Sequence, residues 1–363
     1  MAAIQKVLHL VDQVSAVNFG IWHAAIAPSE SLLRDFGIQS WLVAPENSYQ
    51  PDLQILKNIH RVSIKSTSLS EASSFFSQFS PLDTIVVSHG CWQYPTRWAN
   101  YASSLGFKWM YVPHGMLEPW SMEQKKWKKW LYFYGFENRM AQKADWVRAV
   151  GKPELINLKR WFPHAIHIPN GIYETDLVAE EKPGQGWNGL FLARLHFKKG
   201  IMPLVKAWVA IGNERPKNAQ LTIAGTDDGE QAELELFLKE NPDEGLRFLG
   251  PRFGDEKRLL LAESHFYILP SMSEGFPVSV VEAMGAGLIP IISMGCNFPE
   301  ILEEKIAIET GVTQETIETG LRKAFRLTSE ERTTLSLKAR AKVREGYLWS
   351  QIAADLAKTI SGK

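Results

Sequence analysis

The pattern that most restricts the fold of this 363-residue chain is an alternation. Short runs rich in β-branched and aromatic residues are separated by helix-length segments, once through the N-terminal half and again through the C-terminal half. The spacing predicts strands over 6–11, 40–44, 60–64, 84–88 and 108–112. A second set is expected over 189–195, 220–224, 246–249, 266–269, 289–293 and 306–309. Helices are expected over 22–36, 69–79, 94–104, 122–140 and 152–161. Further helices are expected over 202–211, 230–240, 255–263, 278–286 and 298–302, and from 314 to the end. Parallel strands need long crossovers, and a helix is the usual crossover. Strand–helix alternation therefore implies parallel sheets covered by helices, and two such series imply two doubly wound α/β domains. Pro169-Asn170-Gly171 and the Gly-, Pro- and charge-rich stretch 180–189 mark the changeover, so the boundary is expected near 165. The expected layout is one domain over 1–165, a second over 166–345, and a final helix over 346–363 that returns to the first.

Composition removes several classes. Formal net charge is zero, which gives no bias toward nucleic acid. Cys91 and Cys296 are the only cysteines, so neither a disulfide framework nor a cysteine zinc site is expected. The start, MAAIQKVLHLVDQ, does not read as a secretory signal, and no run of about 18 apolar residues suggests a membrane span. A cytoplasmic protein is the expectation. No Gly-x-Gly-x-x-Gly follows an early strand, which disfavours a Rossmann dehydrogenase.

Doubly wound sheets bind ligands at the carboxyl ends of their strands. One such end carries the segment 273–287, SEGFPVSVVEAMGAG. Pro277 suits the first turn of a helix. The loop before it would present free amides and the positive helix end to a phosphate, and Gly275 would let the backbone come close. Glu274 and Glu282 are eight residues apart. Eight helical residues rise about 12 Å, whereas the paired carboxylates of a retaining glycosidase lie about 5–5.5 Å apart. The pair suits two ends of an extended ligand better than one glycosidic bond. The plainer reading is a loop glutamate and a first-turn glutamate that serves the helix dipole.

SEGFPVSVVEAMGAGLIPI resembles the E-x7-E signature of retaining GT-B glycosyltransferases, in particular family 4, glycosyl transferases group 1. FLARLHFKKG (191–200), PNGI (169–172), LTIAGTDDGE, FLGPRFGDEK and FPEI (298–301) resemble other segments of that family in the same order. The resemblance implies a GT-B fold, two Rossmann-like domains facing across a cleft, with an acceptor-binding N-terminal and a nucleotide-sugar-binding C-terminal domain. It implies that Arg194 and Lys199 hold the donor diphosphate and that Glu282 accepts from the ribose. Glu274 would contact the donor sugar, and Gly275, Phe276, Pro277 and Val278 would line the sugar–phosphate pocket. Arg252 and Phe253 would lie near the nucleobase. In the first half the family's paired glycines are replaced by the loop 15–20, where Gly20 is the candidate for close approach to the diphosphate. Val112-Pro113-His114-Gly115 resembles the segment with the family's cleft histidine, so His114 would bind a donor-sugar or acceptor hydroxyl. His89 ends another strand and is placed near the acceptor, with Glu118 and Trp120 shaping that pocket.

The implied reaction moves a sugar from a UDP- or GDP-linked donor to an acceptor hydroxyl with retention, in cell-surface polysaccharide or glycolipid biosynthesis. No Asp-x-Asp is present, so no cofactor or metal is expected; Asp227-Asp228 reads as a turn. The competing readings are a sugar-nucleotide 2-epimerase of the same architecture and a non-catalytic sugar-nucleotide-binding protein. Lys125, Lys126, Lys128 and Lys129, interleaved with Trp127 and Trp130, form the most basic stretch. Such a helix suits an anionic membrane surface, or packs its aromatics on the core with its lysines reaching to water.

Overall fold

The computed structural model describes residues 4–15, 18–48, 58–177, 186–242 and 244–362. Most of the punctuating stretch 180–189, and Ala16 and Val17 of the loop 15–20, lie outside the described residues. The chain forms two compact units. One comprises 1–171 with 349–363, and the other comprises 172–348.

The first unit is built on a seven-stranded sheet: β1 (Lys6–Leu10), β2 (Gln39–Pro45), β3 (Ile59–Ile64), β4 (Thr84–His89), β5 (Lys108–Val112), β6 (Trp146–Ala149) and β7 (Ile166–His167). Every pairing is parallel, in the order β3-β2-β1-β4-β5-β6-β7. The second unit carries β8 (Asn188–Leu192), β9 (Gln220–Ala224), β10 (Leu246–Phe248), β11 (Phe266–Leu269), β12 (Ile289–Ser293) and β13 (Ile308–Thr310). Its sheet, β10-β9-β8-β11-β12-β13, is also wholly parallel. Both sheets start in the middle and reverse direction once, between β1 and β4 and between β8 and β11, as doubly wound folds do. The expected α/β class is observed. The central strands β4, β11 and β12 are buried along their whole length, which explains why they read as continuous apolar runs.

Two strands were not foreseen. β6 is four residues long and contains Arg148, and β7 is a two-residue edge; neither makes an apolar run. Two expected helices are broken. The first divides into Phe19–Ile26 and Ser29–Phe36 around Pro28, whose ring blocks a continuous ladder. The segment expected as one helix over 122–140 is interrupted at Lys125, which has φ 54°, and then passes through a π-turn at Phe133–Glu137. The extra residue of a π-turn rotates the side chains beyond it. Glu137 is thereby buried, accepting from the Thr96 hydroxyl at 2.8 Å and the Tyr111 hydroxyl at 2.9 Å.

The last helix, Trp349–Ser361, belongs to the first unit and packs on Ser29–Phe36. It buries Trp349, Ile352, Ala353, Leu356, Ala357 and Ile360, spaced to make one helical stripe.

Gly225 shows how closely the strand ends of the second unit meet. A Cβ there would lie 1.8 Å from the Ala193 carbonyl oxygen. The strand-end loops cannot separate without breaking the Ala193 N–H to Ala224 O bond. Gly225→Ala is expected to cost about 3 kcal/mol, the upper end for overpacking, read as a lowered urea midpoint with an unchanged m-value.

Candidate functional site

In the second unit three loops leave the carboxyl ends of β8, β11 and β12 and are tied together. The Met272 N–H donates to Lys198 O at 2.7 Å, and the Glu274 N–H donates to Gly295 O at 2.8 Å. The Asn297 side-chain amide donates to Glu274 O, with Asn297 itself in the left-handed region. Gly200 has φ 74°, and a Cβ there would stand 2.4 Å from Pro270 O, so only glycine lets the first loop approach the second. The approach brings Lys199 Nζ to 2.6 and 2.7 Å from the two Glu274 carboxylate oxygens. Both side chains are nearly covered, at 12% and 10% exposure.

Glu282 forms a separate ion pair. Its Oε1 is 2.8 Å from Nζ of Lys257, on the helix Gly254–Glu263. Each glutamate of the motif therefore has its own lysine. Lys257 was not foreseen, because nothing in the local pattern links 257 to 282.

Pro277 is the residue before the helix Val278–Gly285, with φ −87° and ψ 73°. These angles are those of an inverse γ-turn, and the Val278 N–H donates back to Phe276 O at 3.0 Å. The expectation that the Val278 amide faces a ligand is corrected on this point, since that donor is already taken. Among the described residues, the amides of Gly275, Phe276 and Ser279 donate to no protein acceptor. The Phe276 ring stacks on Tyr347 at 6.0 Å and packs against Phe298 at 5.7 Å, which holds the loop backbone in place. Tyr267 supports the corner from below: its hydroxyl donates to Leu192 O at 2.8 Å and lies 2.7 Å from the Ser279 hydroxyl.

Arg194, two residues past β8, is half-exposed and donates to Asp228 at 2.7 Å. Asp227 accepts from the Gly229 and Gln231 amides at 2.9 and 3.1 Å, which is the turn the sequence suggested. Arg252 contacts Pro251 O and lies 3.8 Å from Glu256, and Phe253 is 68% exposed. Arg252 is held locally, apart from the Lys199–Glu274 pair.

In the first unit the two expected histidines are joined by a third. His9 Nδ1 lies 3.0 Å from His89 Nε2, and His89 Nδ1 lies 2.9 Å from His114 Nε2. The register accounts for the row. His9 pairs with Val87, two residues before His89, and His89 pairs with Val112, two residues before His114. A step of two keeps His9 and His89 on one face of the sheet, and the left-handed turn at His114, past the end of β5, brings the third ring beside His89. Nitrogens this close to one another leave no room for a shared cation, and no metal-holding group was found among the described residues. Burial, with the Arg148 cation nearby, lowers His9 and His114 to about 3 and His89 well below its usual value. The row is therefore uncharged. Arg148 itself is buried and donates to Ile168 O, Pro169 O and the Asn170 side chain, fixing the Pro169–Gly171 segment.

His114 has φ 55° and Gly115 has φ 74°. This left-handed pair is held by Glu154, whose two oxygens accept from the Gly115 amide at 2.6 Å and the Val150 amide at 2.7 Å. Burial pushes Glu154 up to about 7 against the pull of those amides. Glu118 is buried; one oxygen accepts from the Asn157 amide at 3.0 Å, and burial raises its carboxyl. Trp120 is half-buried on the short helix Pro119–Glu123. Gly20 departs from expectation. It sits in the first turn of Phe19–Ile26, not in a loop, and a Cβ there would meet nothing within 4 Å. Neither φ nor crowding requires glycine at that position.

These features define a protein with two doubly wound domains, each carrying a polar cluster at its strand carboxyl ends. Solved structures share that architecture. Sucrose-phosphate synthase from Thermosynechococcus elongatus aligns with a TM-score of 0.78 at 16% identity, over 98% of each chain. Anabaena HepE, solved with UDP and glucose, aligns with a TM-score of 0.73 at 15% identity, over 99% of this chain and 100% of that one. The fold is GT-B. Residues 174–342 match the model described as Glycosyl transferases group 1. The GDP-mannose:cellobiosyl-diphosphopolyprenol alpha-mannosyltransferase of Xanthomonas oryzae is 29% identical over 35% of this chain and 33% of its own length. The chain thus spans about a third of the length of the curated relatives it matches.

Glu154→Gln places a side-chain NH2 against an amide N–H. It is expected to lower stability by about 1–3 kcal/mol, the cost of an unmatched buried donor, measured by urea unfolding at pH 7.

Proposed function

We propose that this protein transfers a sugar from a nucleoside diphosphate sugar to an acceptor hydroxyl with retention of anomeric configuration, in the synthesis of a surface polysaccharide or glycolipid. The observation that carries the reading is the Lys199–Glu274 pair beside the unpartnered amides that precede Val278–Gly285. Departure of the diphosphate builds negative charge on its oxygens. Lys199, Arg194 and the start of that helix supply fixed positive potential where the charge grows. Lys199 also fixes the Glu274 carboxylate beside the sugar, where its charge favours an oxocarbenium-like anomeric carbon. Glu282, paired with Lys257, receives the ribose hydroxyls, and Arg252 is assigned to the base. In this reading Lys199, Arg194 and the helix start take the part a metal would play at the leaving group. The second unit takes the donor in this reading. The first takes the acceptor, with His114 binding a substrate hydroxyl and His89 behind it. UDP and glucose in the Anabaena structure, and the GDP-mannose donor in the name of the Xanthomonas relative, support a nucleotide-sugar donor.

Thermal denaturation with UDP, GDP and their sugars tests the donor site. A ligand that binds only the native state raises Tm. One nucleotide class is expected to stabilise the protein, and Arg194→Ala with Lys199→Ala is expected to abolish the shift, measured against that variant's own ligand-free Tm. An undiminished shift in the variant overturns the phosphate assignment. A sugar-nucleotide product epimerised without any acceptor would favour the 2-epimerase reading.

A lipid-linked acceptor fits one further surface. No helix among the described residues is long and apolar enough to cross a membrane. On Lys126–Tyr132 and the turn after it, Trp127, Leu131 and Tyr134 are 87%, 77% and 56% exposed. Trp127 and Leu131, four apart, share one face, while Tyr134 stacks on Trp130. Trp130 itself packs against Phe133 and Trp161. Of the four lysines, Lys129 is engaged with Ser121 and Lys126 with Glu123, so Lys125 and Lys128 are the more open cations. Apolar side chains among lysines suit peripheral contact with an anionic bilayer. Co-sedimentation with anionic vesicles is expected to weaken with salt and to fall when Lys125, Lys126, Lys128 and Lys129 become glutamine. Equal binding by that variant removes the membrane contact.

A further inference from the structure

We infer that His9 and His89 set the tautomer of His114, so that its outward Nδ1 carries a proton and binds substrate as a hydrogen-bond donor. The inference deepens the proposed role of His114 and rests on that reading only for the identity of the ligand. Its structural part stands on three contacts. His9 Nδ1 faces His89 Nε2 at 3.0 Å, His89 Nδ1 faces His114 Nε2 at 2.9 Å, and the rings follow at centroid spacings of 5.3 and 5.2 Å.

A neutral imidazole has one N–H and one lone pair. Each link needs one of each, so donation must run in a single direction through all three rings. Two arrangements satisfy this. In one, every ring is protonated on Nδ1, and His114 presents an N–H. In the other, every ring is protonated on Nε2, and His114 presents a lone pair.

The inner end decides between them. His9 is 4% exposed, and its Nε2 is buried with no hydrogen-bond partner among the described residues. The all-Nε2 arrangement would leave an orphan N–H there. The all-Nδ1 arrangement leaves only a lone pair, and buried unpaired N–H groups are the rarer defect. The outer end is open: His114 is part-exposed, and no protein group among the described residues is bonded to its Nδ1. Arg148, the charged group nearest the row, opposes an added proton.

His114 is thus a donor to a ligand oxygen, such as a sugar hydroxyl accepting through its lone pair. It is not placed to remove the proton of an attacking hydroxyl, because its accepting nitrogen is turned inward to His89. His9 is a positioning residue that acts through His89.

Imidazole 15N NMR of the ligand-free full chain distinguishes the tautomers, since protonated and bare ring nitrogens resonate far apart. The expected spectrum has Nδ1 protonated and Nε2 bare on all three rings. His9→Phe leaves His89 Nε2 as the buried unpartnered end and is expected to keep the Nδ1–H form, because the alternative again orphans an N–H. His9→Asp places a carboxylate oxygen where Nδ1 stood, offers His89 Nε2 only an acceptor, and is expected to reverse the row, giving His114 protonated on Nε2. A His114 protonated on Nε2 in the native chain overturns the inference whether or not the variants fold, as does a folded His9→Asp protein whose His114 stays protonated on Nδ1. Because the spectrum is read without substrate, its outcome is independent of the transferase reading.

Discussion

Both halves of this protein depend on one topological constraint, the reversal of strand order within a wholly parallel sheet. Crossovers that leave adjacent strands on opposite faces cannot cover the gap above those strands, and the gap becomes a crevice. In the first unit it lies above β1 and β4, and His9 and His89 come from those two strands. In the second it lies above β8 and β11, and Lys199 and Glu274 follow those two strands. Each polar cluster stands at its sheet's reversal.

The two crevices treat charge differently. The second is ionic: Lys199–Glu274, Lys257–Glu282 and Arg194–Asp228 are all paired, with partners drawn from different loops. Such pairs set charge-assisted hydrogen bonds in partly covered positions, with cations that an anionic ligand can share. The first crevice works with dipoles. Its histidines are uncharged, and the nearby cation, Arg148, has its donors occupied by backbone and Asn170. A diphosphate suits the former, and a neutral hydroxyl suits the latter.

Local signals made the frame legible. β5, β9, β11 and β12 fall where their apolar runs lie, because those strands are buried on both faces and carry little else. β6 escaped notice because Arg148 interrupts it, and that arginine is buried only because carbonyls from a later segment surround it. The motif glutamates could be found from spacing, but their lysines could be matched to them only in three dimensions. Lys257 is 25 residues before Glu282 on another helix. His9 was unremarkable within an apolar strand. Its meaning comes from parallel register, a relation between strands that no single segment encodes. Glu154, within a segment expected only as a helix, is the buried anchor of the His114 turn.

The helix Trp349–Ser361 has a consequence for how the protein is made. The first unit is discontinuous, since its closing helix comes from the far end of the chain, while the second is one unbroken stretch. During synthesis at about 5–20 residues per second, residues 172–348 take on the order of 10–35 s to emerge. Throughout that interval the face of Ser29–Phe36 that later receives the helix Trp349–Ser361 waits for its cover. The half that begins first is therefore completed last. A ribosome that stalls within the second unit holds a nascent chain whose exposed apolar helix face is a natural target for a holding chaperone.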